Sequence, residues 1–182
     1  FLMRFFREVF SPPYEFKEII RQCYEVGWKS FPLISLTGFI VGFVFTKQSR
    51  PSLEEFGASS WLPALISIAI VRALAPLVTA LIASGKVGSQ IGAELSSMNV
   101  TEQIDAMEVS GTNPFKFLIV SRILATTFMI PILTFYVAGI GLFGGYLSII
   151  SKDQLSLLSF LTQVFDKIAL IDIFAMSIRA LV

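Results

Sequence analysis

The sequence offers very few side chains that could perform catalysis. It contains no histidine and a single cysteine, Cys23, so an imidazole base, a disulfide within the chain and a thiolate metal cluster are all excluded. No serine or aspartate stands in a recognisable nucleophile or dyad arrangement. We therefore expect no catalytic residue, no metal site and no cofactor bound by this chain. A net charge of +1 also argues against a nucleic-acid partner.

One short segment is similar to a phosphate-binding loop but fails the test for it. Gly85 and Lys86 follow Ser84, yet no glycine stands five residues before Gly85, and Val87 occupies the position that needs serine or threonine. The chain is therefore expected to have no nucleotide site of its own.

Arg72 is the most conspicuous charge, because it lies near the middle of a long apolar stretch. A charge at the centre of a membrane helix costs about 2.5 to 3.5 kcal/mol, so Arg72 should face a polar cavity or a partner. Either it lines a lipid path and binds a phosphate through two donors, or it pairs with a carboxylate or carbonyl of another helix. Pro76, one turn later, should free a backbone carbonyl as an acceptor close to Arg72.

Asp172 and Arg179 raise the same question near the end of the chain. Seven residues apart, they lie on one helical face but about two turns from each other. We expect them to face a water-filled path, a neighbouring subunit or the membrane interface. Phe39 and Phe43 in an earlier apolar stretch could line an acyl-chain pocket, although packing roles are the default for such residues.

An acidic segment between Asn99 and Gly111 predicts a short helix at the surface. Asn99 with Glu102 three residues later fits an N-cap and capping box, and Gly111 fits a helix stop. Glu94, Glu102, Asp105 and Glu108 face no basic residue between Lys86 and Lys116, while Val100, Ile104 and Met107 form an apolar stripe. Two interpretations stay open: a helix that docks into a basic groove of a protein partner, or a solvated helix packed on the chain's own spans.

The elements that must position these residues are membrane helices. Of the 182 residues, 54% are hydrophobic and only 15% are charged, which is outside the range of soluble domains. Charge-poor stretches predict spans at about 30–46, 61–84, 117–150 and 164–182, joined by a polar loop at 85–116. The third stretch contains Pro131 and no polar loop, so one long helix is expected there. Gly85, Gly88 and Gly92 would suit a flexible linker or a row of small residues on a helix, and Val87, Ile91 and Leu95, spaced four apart, favour a continuous helix that leaves the membrane.

A further helix is expected at about 14–28, ahead of the first span. Phe16, Ile20 and Tyr24 belong to its apolar side, and Lys17 and Glu18 to its polar side. This pattern is typical of a helix lying in the membrane interface, although a soluble amphipathic helix packed on another domain has the same pattern. The excess of basic residues before the first span predicts that the N-terminus and the 85–116 loop are cytoplasmic.

The sequence resembles the MlaE-type permease family, the membrane subunits of ABC transporters that move phospholipids together with proteins of the MCE class. The likeness rests on Arg72-Ala73-Leu74-Ala75-Pro76, Ser84-Gly85-Lys86-Val87-Gly88, Gly92-Ala93-Glu94-Leu95, Val100-Thr101-Glu102-Gln103-Ile104-Asp105-Ala106-Met107, Asn113-Pro114-Phe115 and Arg122-Ile123-Leu124-Ala125. It continues through Gly42-Phe43-Val44-Phe45 and Asp166-Lys167, and so covers nearly the whole chain. Where the family commonly has an acidic residue after the arginine this chain has Ala73, so the partner of Arg72 must come from elsewhere.

The resemblance implies an all-α membrane protein with a single permease domain over residues 1–182. It implies a cytoplasmic coupling helix that docks on a separate ABC ATPase, which binds the ATP. The residues it assigns to this coupling are Glu94, Thr101, Glu102, Gln103, Asp105, Met107 and Glu108. It further implies a homodimer, an MCE-type lipid-binding partner, a phospholipid cargo and a multi-pass location in the bacterial inner membrane.

We expect the chain to be part of a longer protein. The family has five spans, whereas this chain begins at Phe1 and stops inside an apolar run.

The alternative function is a subunit of a secondary transporter or channel driven by an ion gradient. That class favours intramembrane acids or an inverted repeat, and the sequence has no repeat and only Asp172.

Overall fold

The computed structural model describes residues 2–9, 16–150, 156–168 and 170–181, and these residues contain helices and no strand. The all-α membrane class expected from composition is confirmed. In chain order the α-helices are α1 (Leu2–Val9), α2 (Phe16–Gly27), α3 (Phe31–Glu55), α4 (Leu62–Ala69), α5 (Ala75–Ile82), α6 (Gly88–Val100), α7 (Gln103–Val109), α8 (Ser121–Ile150), α9 (Leu157–Lys167) and α10 (Leu170–Leu181).

The second predicted span is part of one helix that continues far beyond it. A π-helical turn at Ile70–Leu74 joins α4 to α5, and another at Ala83–Val87 joins α5 to α6. The whole run from Leu62 to Val100 is 39 residues long. This confirms the expected helix that continues past the span. In a π turn each amide bonds to the carbonyl five residues back, so the turn widens without breaking the helix.

The first and third spans are also long helices. The run from Phe16 to Glu55 joins α2 to α3 through a 3₁₀ turn at Trp28–Ser30, and α3 ends nine residues beyond the predicted limit of 46. A π segment at Phe115–Val120 leads into α8, which contains Pro131 without interruption. The prediction of one long helix in this region, instead of two, is confirmed.

The predicted fourth span at 164–182 is not one helix. The helix α9 ends at Lys167, Ile168 has an extended backbone, and α10 begins at Leu170. Within the described ranges, three helical runs are long and apolar enough to cross a membrane, and neither α9 nor α10 is among them.

The described residues group into two compact units, and the expected single permease domain stays a prediction. One unit, which we call the helical core, comprises residues 31–82 and 130–182. The other, which we call the coupling unit, comprises residues 1–30 and 83–129.

Close packing of α3 on α8 holds the helical core together. A Cβ added at Gly42 would collide with the backbone of Gly141, and a Cβ at Gly144 would lie 2.5 Å from the carbonyl oxygen of Phe39. Glycine is required here because two helix backbones touch. Gly38 likewise lies against Val137 of α8, so both glycines of this G-x-x-x-G pair contact a helix of the same chain.

Two apolar clusters fill the helical core at different levels of the second span. The helix α4 contributes Leu62 and Ile66 to one cluster, where they meet Phe160 and Val164 of α9. The helix α5 contributes Ala75 and Val78 to the other, with Met176 of α10. Consequently α4 packs on α9 and α5 packs on α10, with the π turn between the two levels.

Candidate functional site

Arg72 pairs with Asp172 inside the helical core. Its Nε lies 2.9 Å from Asp172 Oδ1, and its Nη2 donates to Oδ2 at 2.9 Å, so the carboxylate receives two parallel contacts. The Asp172 side chain is buried, whereas 47% of the Arg72 side chain is exposed. A bidentate pair of this kind is the strongest geometry available to the two groups. The family's acidic residue is absent at position 73, and Asp172, 100 positions along the chain from Arg72, supplies the carboxylate instead.

Arg179 binds the backbone of the same π turn. Its Nη1 donates to the carbonyl oxygen of Arg72 at 2.5 Å. Pro76 stands four residues after Arg72 and has no N–H to donate to that carbonyl, which is the group that sequence reasoning expected it to release. Asp172 and Arg179 do not bond to each other in this arrangement, but both converge on Arg72. Sequence reasoning missed this convergence because it linked neither residue to Arg72.

Phe39 and Phe43 lie in the same unit, on α3. Their rings stack with centroids 6.2 Å apart, and Phe39 also approaches Phe143 of α8 at 6.5 Å. Both side chains are half-buried. These contacts satisfy a packing role, and a role in lining a lipid path stays a prediction.

The acidic helix α7 forms in the coupling unit, but its start differs from the prediction. Asn99 lies inside α6, which continues to Val100, so it is not an N-cap. The residue before α7 is Glu102, which has a left-handed backbone with φ 55°, and its side chain makes no capping bond. The expected capping box is therefore wrong, because the chain turns the corner through a strained Glu102 instead of an extended cap residue.

The predicted end of α7 is confirmed. Gly111 has φ 78°, its N–H donates to Glu108 O at 3.0 Å, and the N–H of Thr112 donates to Met107 O at 3.0 Å. These two bonds make up a Schellman motif, which satisfies the last carbonyls of the helix. Glycine is needed at this position because its φ is positive.

The outer surface of α7 is acidic and open. The exposed residues of α7 and of the turn before it include Thr101, Glu102, Gln103, Asp105 and Glu108. Two apolar residues beside them are exposed as well: Val100 at the end of α6 and Val109 at the end of α7. Ile104 and Met107 are half-buried, so the predicted apolar stripe faces its own chain except at Val100. Beside α7, a cavity of about 520 Å³ is lined by residues that include Leu95, Ile104, Phe115 and Leu118. An exposed acidic face with apolar ends and an adjoining cavity suits a protein contact.

Glu94 differs from the other acids predicted to contact a partner. Its Oε2 lies 2.7 Å from Nη2 of Arg122, whose side chain is only 4% exposed, and its Oε1 lies 3.7 Å from Arg21. Its carboxylate therefore faces inward, toward α2 and α8. No aligned hydrogen bond reaches any guanidinium nitrogen of Arg122 within the described residues, so proximity of opposite charges dominates this contact.

Two further polar contacts join α2 to the second helical run. The side chain of Gln90 donates to Glu25 Oε2 at 2.9 Å, and Glu25 also lies 2.5 Å from Lys29 Nζ. Lys86 Nζ donates to the carbonyl oxygen of Lys29. Sequence reasoning missed these residues, although the polar positions recur every four residues on both helices.

The two faces of α2 are used differently. Glu18, expected on a polar outer side, is buried, accepts a hydrogen bond from Gln22 at 2.8 Å and pairs with Arg21 at 3.0 Å. Phe16, Ile20 and Tyr24 are exposed instead. Glu18 and Gln22 thus face the protein while Phe16, Ile20 and Tyr24 face outward, although Lys17 and Arg21 of the polar side are exposed as well.

Comparison with known proteins agrees with this architecture. The family model described as "Permease MlaE" matches residues 19–182. A probable ABC transporter permease protein of Rickettsia typhi is 33% identical over 174 residues, which are 96% of this chain and 67% of that protein. One of Synechocystis is 34% identical over 166 residues, or 91% of this chain and 63% of that protein. One of the red alga Porphyra purpurea is 40% identical over 116 residues, or 64% of this chain and 44% of that protein.

The chain spans about two thirds of the length of the first two of these relatives or slightly less. The match nevertheless includes most of α2 and of the first long helical run, both of the other long runs and the acidic helix. On this evidence the chain belongs to the MlaE permease family and is a multi-pass membrane component of an ABC transporter.

Proposed function

We propose that this permease moves phospholipid between membranes, and that a separate ATPase drives it through α7. The observation that carries the proposal is the exposed acidic surface of α7, which follows directly on a 39-residue helical run containing Arg72. An ABC permease needs an ATPase partner, and a surface with Glu102, Asp105 and Glu108 is complementary to a basic groove on such a partner.

The proposed path of the energy is mechanical. ATP is bound and hydrolysed by the partner subunit, whose closure moves α7. The helix α6 follows α5 in the same helical run through the π turn at Ala83–Val87, and in this proposal a displacement of α7 is passed along that run. This chain contributes leverage and a path for the cargo, and it binds no cofactor of its own.

The charge cluster around Arg72 supports a phospholipid as the cargo. Asp172 engages one edge of the guanidinium, while nearly half of the Arg72 side chain stays exposed. A lipid phosphate is the anion that a partly neutralised arginine at this level would meet. Phe39 and Phe43 of α3 and Pro76 of α5 lie in the same unit and are the proposed contacts for the rest of the lipid path.

The remaining parts of the proposal rest on family resemblance. The permease assembles as a homodimer in the bacterial inner membrane and exchanges lipid with an MCE-type lipid-binding protein.

Native mass spectrometry of the purified complex tests directly whether phospholipid is the cargo. Copurified phospholipid that is depleted in the Arg72→Gln variant supports the lipid path, and equal retention in both proteins contradicts the role of Arg72.

Charge reversal on α7 tests the coupling. In vesicles containing the full-length permease and its ATPase, Glu102→Lys and Asp105→Lys should each reduce ATP-dependent lipid transfer by about tenfold or more, since like charges at an interface cost several kcal/mol. Lysine at 102 keeps a non-glycine residue at the left-handed position, so the backbone strain is matched. Glu55→Lys, at the exposed end of α3, is the control and should leave transfer unchanged.

Two outcomes would contradict the proposal. Unchanged transfer in both α7 variants would show that α7 does not couple to the ATPase. Transfer that persists in vesicles without ATPase or ATP would favour the gradient-driven alternative.

A further inference from the structure

The polar contacts between α2 and the second helical run form a regular antiparallel series. Lys86 contacts the carbonyl of Lys29, Gln90 contacts Glu25, and Glu94 contacts Arg21. Each step is four residues forward on one helix and four residues back on the other. We call these three contacts the α2–α6 ladder; its first rung joins the π turn just before α6 to the 3₁₀ turn just after α2.

Four-residue spacing gives the ladder a defined register. Residues four apart lie one turn above each other on a helix, so Arg21 and Glu25 share one face of α2, and Gln90 and Glu94 share one face of α6. A slip of either helix by one residue would turn these two pairs off that face. The ladder therefore fixes both the sliding position and the rotation of α2 against α6.

The last rung continues into a third helix. Glu94 also lies against Arg122 of α8, and Arg122 is almost fully enclosed by the protein. A buried guanidinium that loses its counter-charge destabilises the protein strongly, so moving Glu94 away from Arg122 has a large free-energy cost. Glu94 thus joins α2, α6 and the start of α8 at a single carboxylate.

We propose that the α2–α6 ladder makes α2 a moving part of the coupling apparatus, with Glu94 as a positioning residue. This inference rests on the proposed function. When the ATPase displaces α7, α6 carries α2 with it as one body, and the exposed apolar side of α2 is moved along the membrane surface. Glu94 acts inside the permease in this scheme and does not contact the ATPase.

Distance measurement tests whether the ladder stays intact during the cycle. Spin labels at Ile20→Cys and Ser96→Cys, in a Cys23→Ser background, report the separation of α2 and α6 from exposed positions outside the ladder. In the full-length complex the distance should agree within about 2 Å between nucleotide-free and ATP-trapped states. A larger change would overturn the proposal.

Exchanging the amide and the carboxylate of the Gln90–Glu25 contact tests whether the ladder couples ATP hydrolysis to lipid transfer. Gln90→Glu places two carboxylates opposite each other and should lower lipid transfer per ATP hydrolysed by about three- to thirtyfold. Glu25→Gln combined with Gln90→Glu restores an amide–carboxylate pair and should recover most of the loss. A merely structural rung would change protein yield, and the ratio of transfer to hydrolysis would stay constant.

Glu94→Gln is the test of the positioning residue, and it should lower the same ratio while the ATPase still copurifies. Loss of ATPase copurification in Glu94→Gln would instead make Glu94 a partner contact and overturn its assignment. Should this variant not assemble, the middle-rung exchange decides the proposal. Absence of ATP-driven transfer by the unmodified complex would refute the proposed function, whereas a changed α2–α6 distance would refute only the ladder.

Discussion

At the scale of single residues, the chain handles its intramembrane charges by pairing them. Arg72 meets the carboxylate of Asp172, and Arg179 meets the carbonyl that Pro76 leaves without its usual donor. These contacts reduce the cost of placing charges among apolar helices. They also hold α10 against the second span, so the arginine that we propose as a lipid contact joins two helices of the helical core as well.

The pair predicts a measurable coupling energy. Arg72→Gln and Asp172→Asn should each lower the free energy of unfolding of the full-length permease in detergent. The double variant should lose less than the sum of the two, by about 0.6 to 2 kcal/mol, the range for polar contacts between membrane helices. Thermal or denaturant unfolding of the four proteins measures this difference, and strict additivity would show that the pair adds no stability.

At the scale of helices, direct backbone contact between α3 and α8 sets the geometry of the helical core. Gly42 approaches Gly141 so closely that no side chain fits between them, whereas Gly139, also on α8, has no atom of the described residues within 4 Å of an added Cβ. An added methyl group would therefore clash at Gly42 and would fit without a clash at Gly139.

This difference gives a matched pair of variants. Gly42→Ala should destabilise the permease by about 1 to 3 kcal/mol or more, because the added methyl forces the helices apart. Gly139→Ala should be neutral or slightly stabilising, because alanine favours a helix. Thermal stability of the two variants in detergent compares them, and equal values would argue against the close contact.

Particular residues show how far the sequence could predict these elements. Uncharged runs predict the long helices because the thickness of the membrane's hydrocarbon core sets how many apolar residues a span needs. The partner of Arg72 was out of reach, since Asp172 is 100 positions away and only the folded helices bring the two together. The start of α7 was mispredicted because local rules favour an extended cap at Asn99, and nothing local predicts a left-handed Glu102.

The polar side of α2 was also misjudged. A helical wheel identifies Glu18 as polar, but it does not state whether water or another polar helix covers it. The ion pairs of the coupling unit supply the answer: Glu18 is buried and pairs with Arg21, which in turn approaches Glu94. The proposed site on α7 was easier to find, because charge without counter-charge is visible in the sequence itself.

At the scale of the whole molecule, the proposed function requires a defined orientation in the membrane. The basic residues before the first span predict that the N-terminus is cytoplasmic. Two predicted crossings separate the N-terminus from α7, so α7 is expected on the cytoplasmic side as well. The loop that follows α3 should then lie on the opposite side.

Labelling with a membrane-impermeant maleimide tests this orientation. In a Cys23→Ser background, Val109→Cys, at a position 90% exposed, should react only from the cytoplasmic side. Phe56→Cys, at a position 83% exposed, should react only from the opposite side. Intact cells and inverted vesicles supply the two directions, and reaction of both sites from one side would refute the topology.

The π turn at Ile70–Leu74 has a consequence for the angular phase of the second span. It lies between α4, which packs on α9, and α5, which packs on α10. Each residue of an α-helix advances the direction of its side chains by about 100°. Deleting one residue from this turn would therefore rotate Leu62 and Ile66 away from α9 or Ala75 and Val78 away from α10. We expect relatives with this packing to tolerate substitutions in the turn far better than a change in its length.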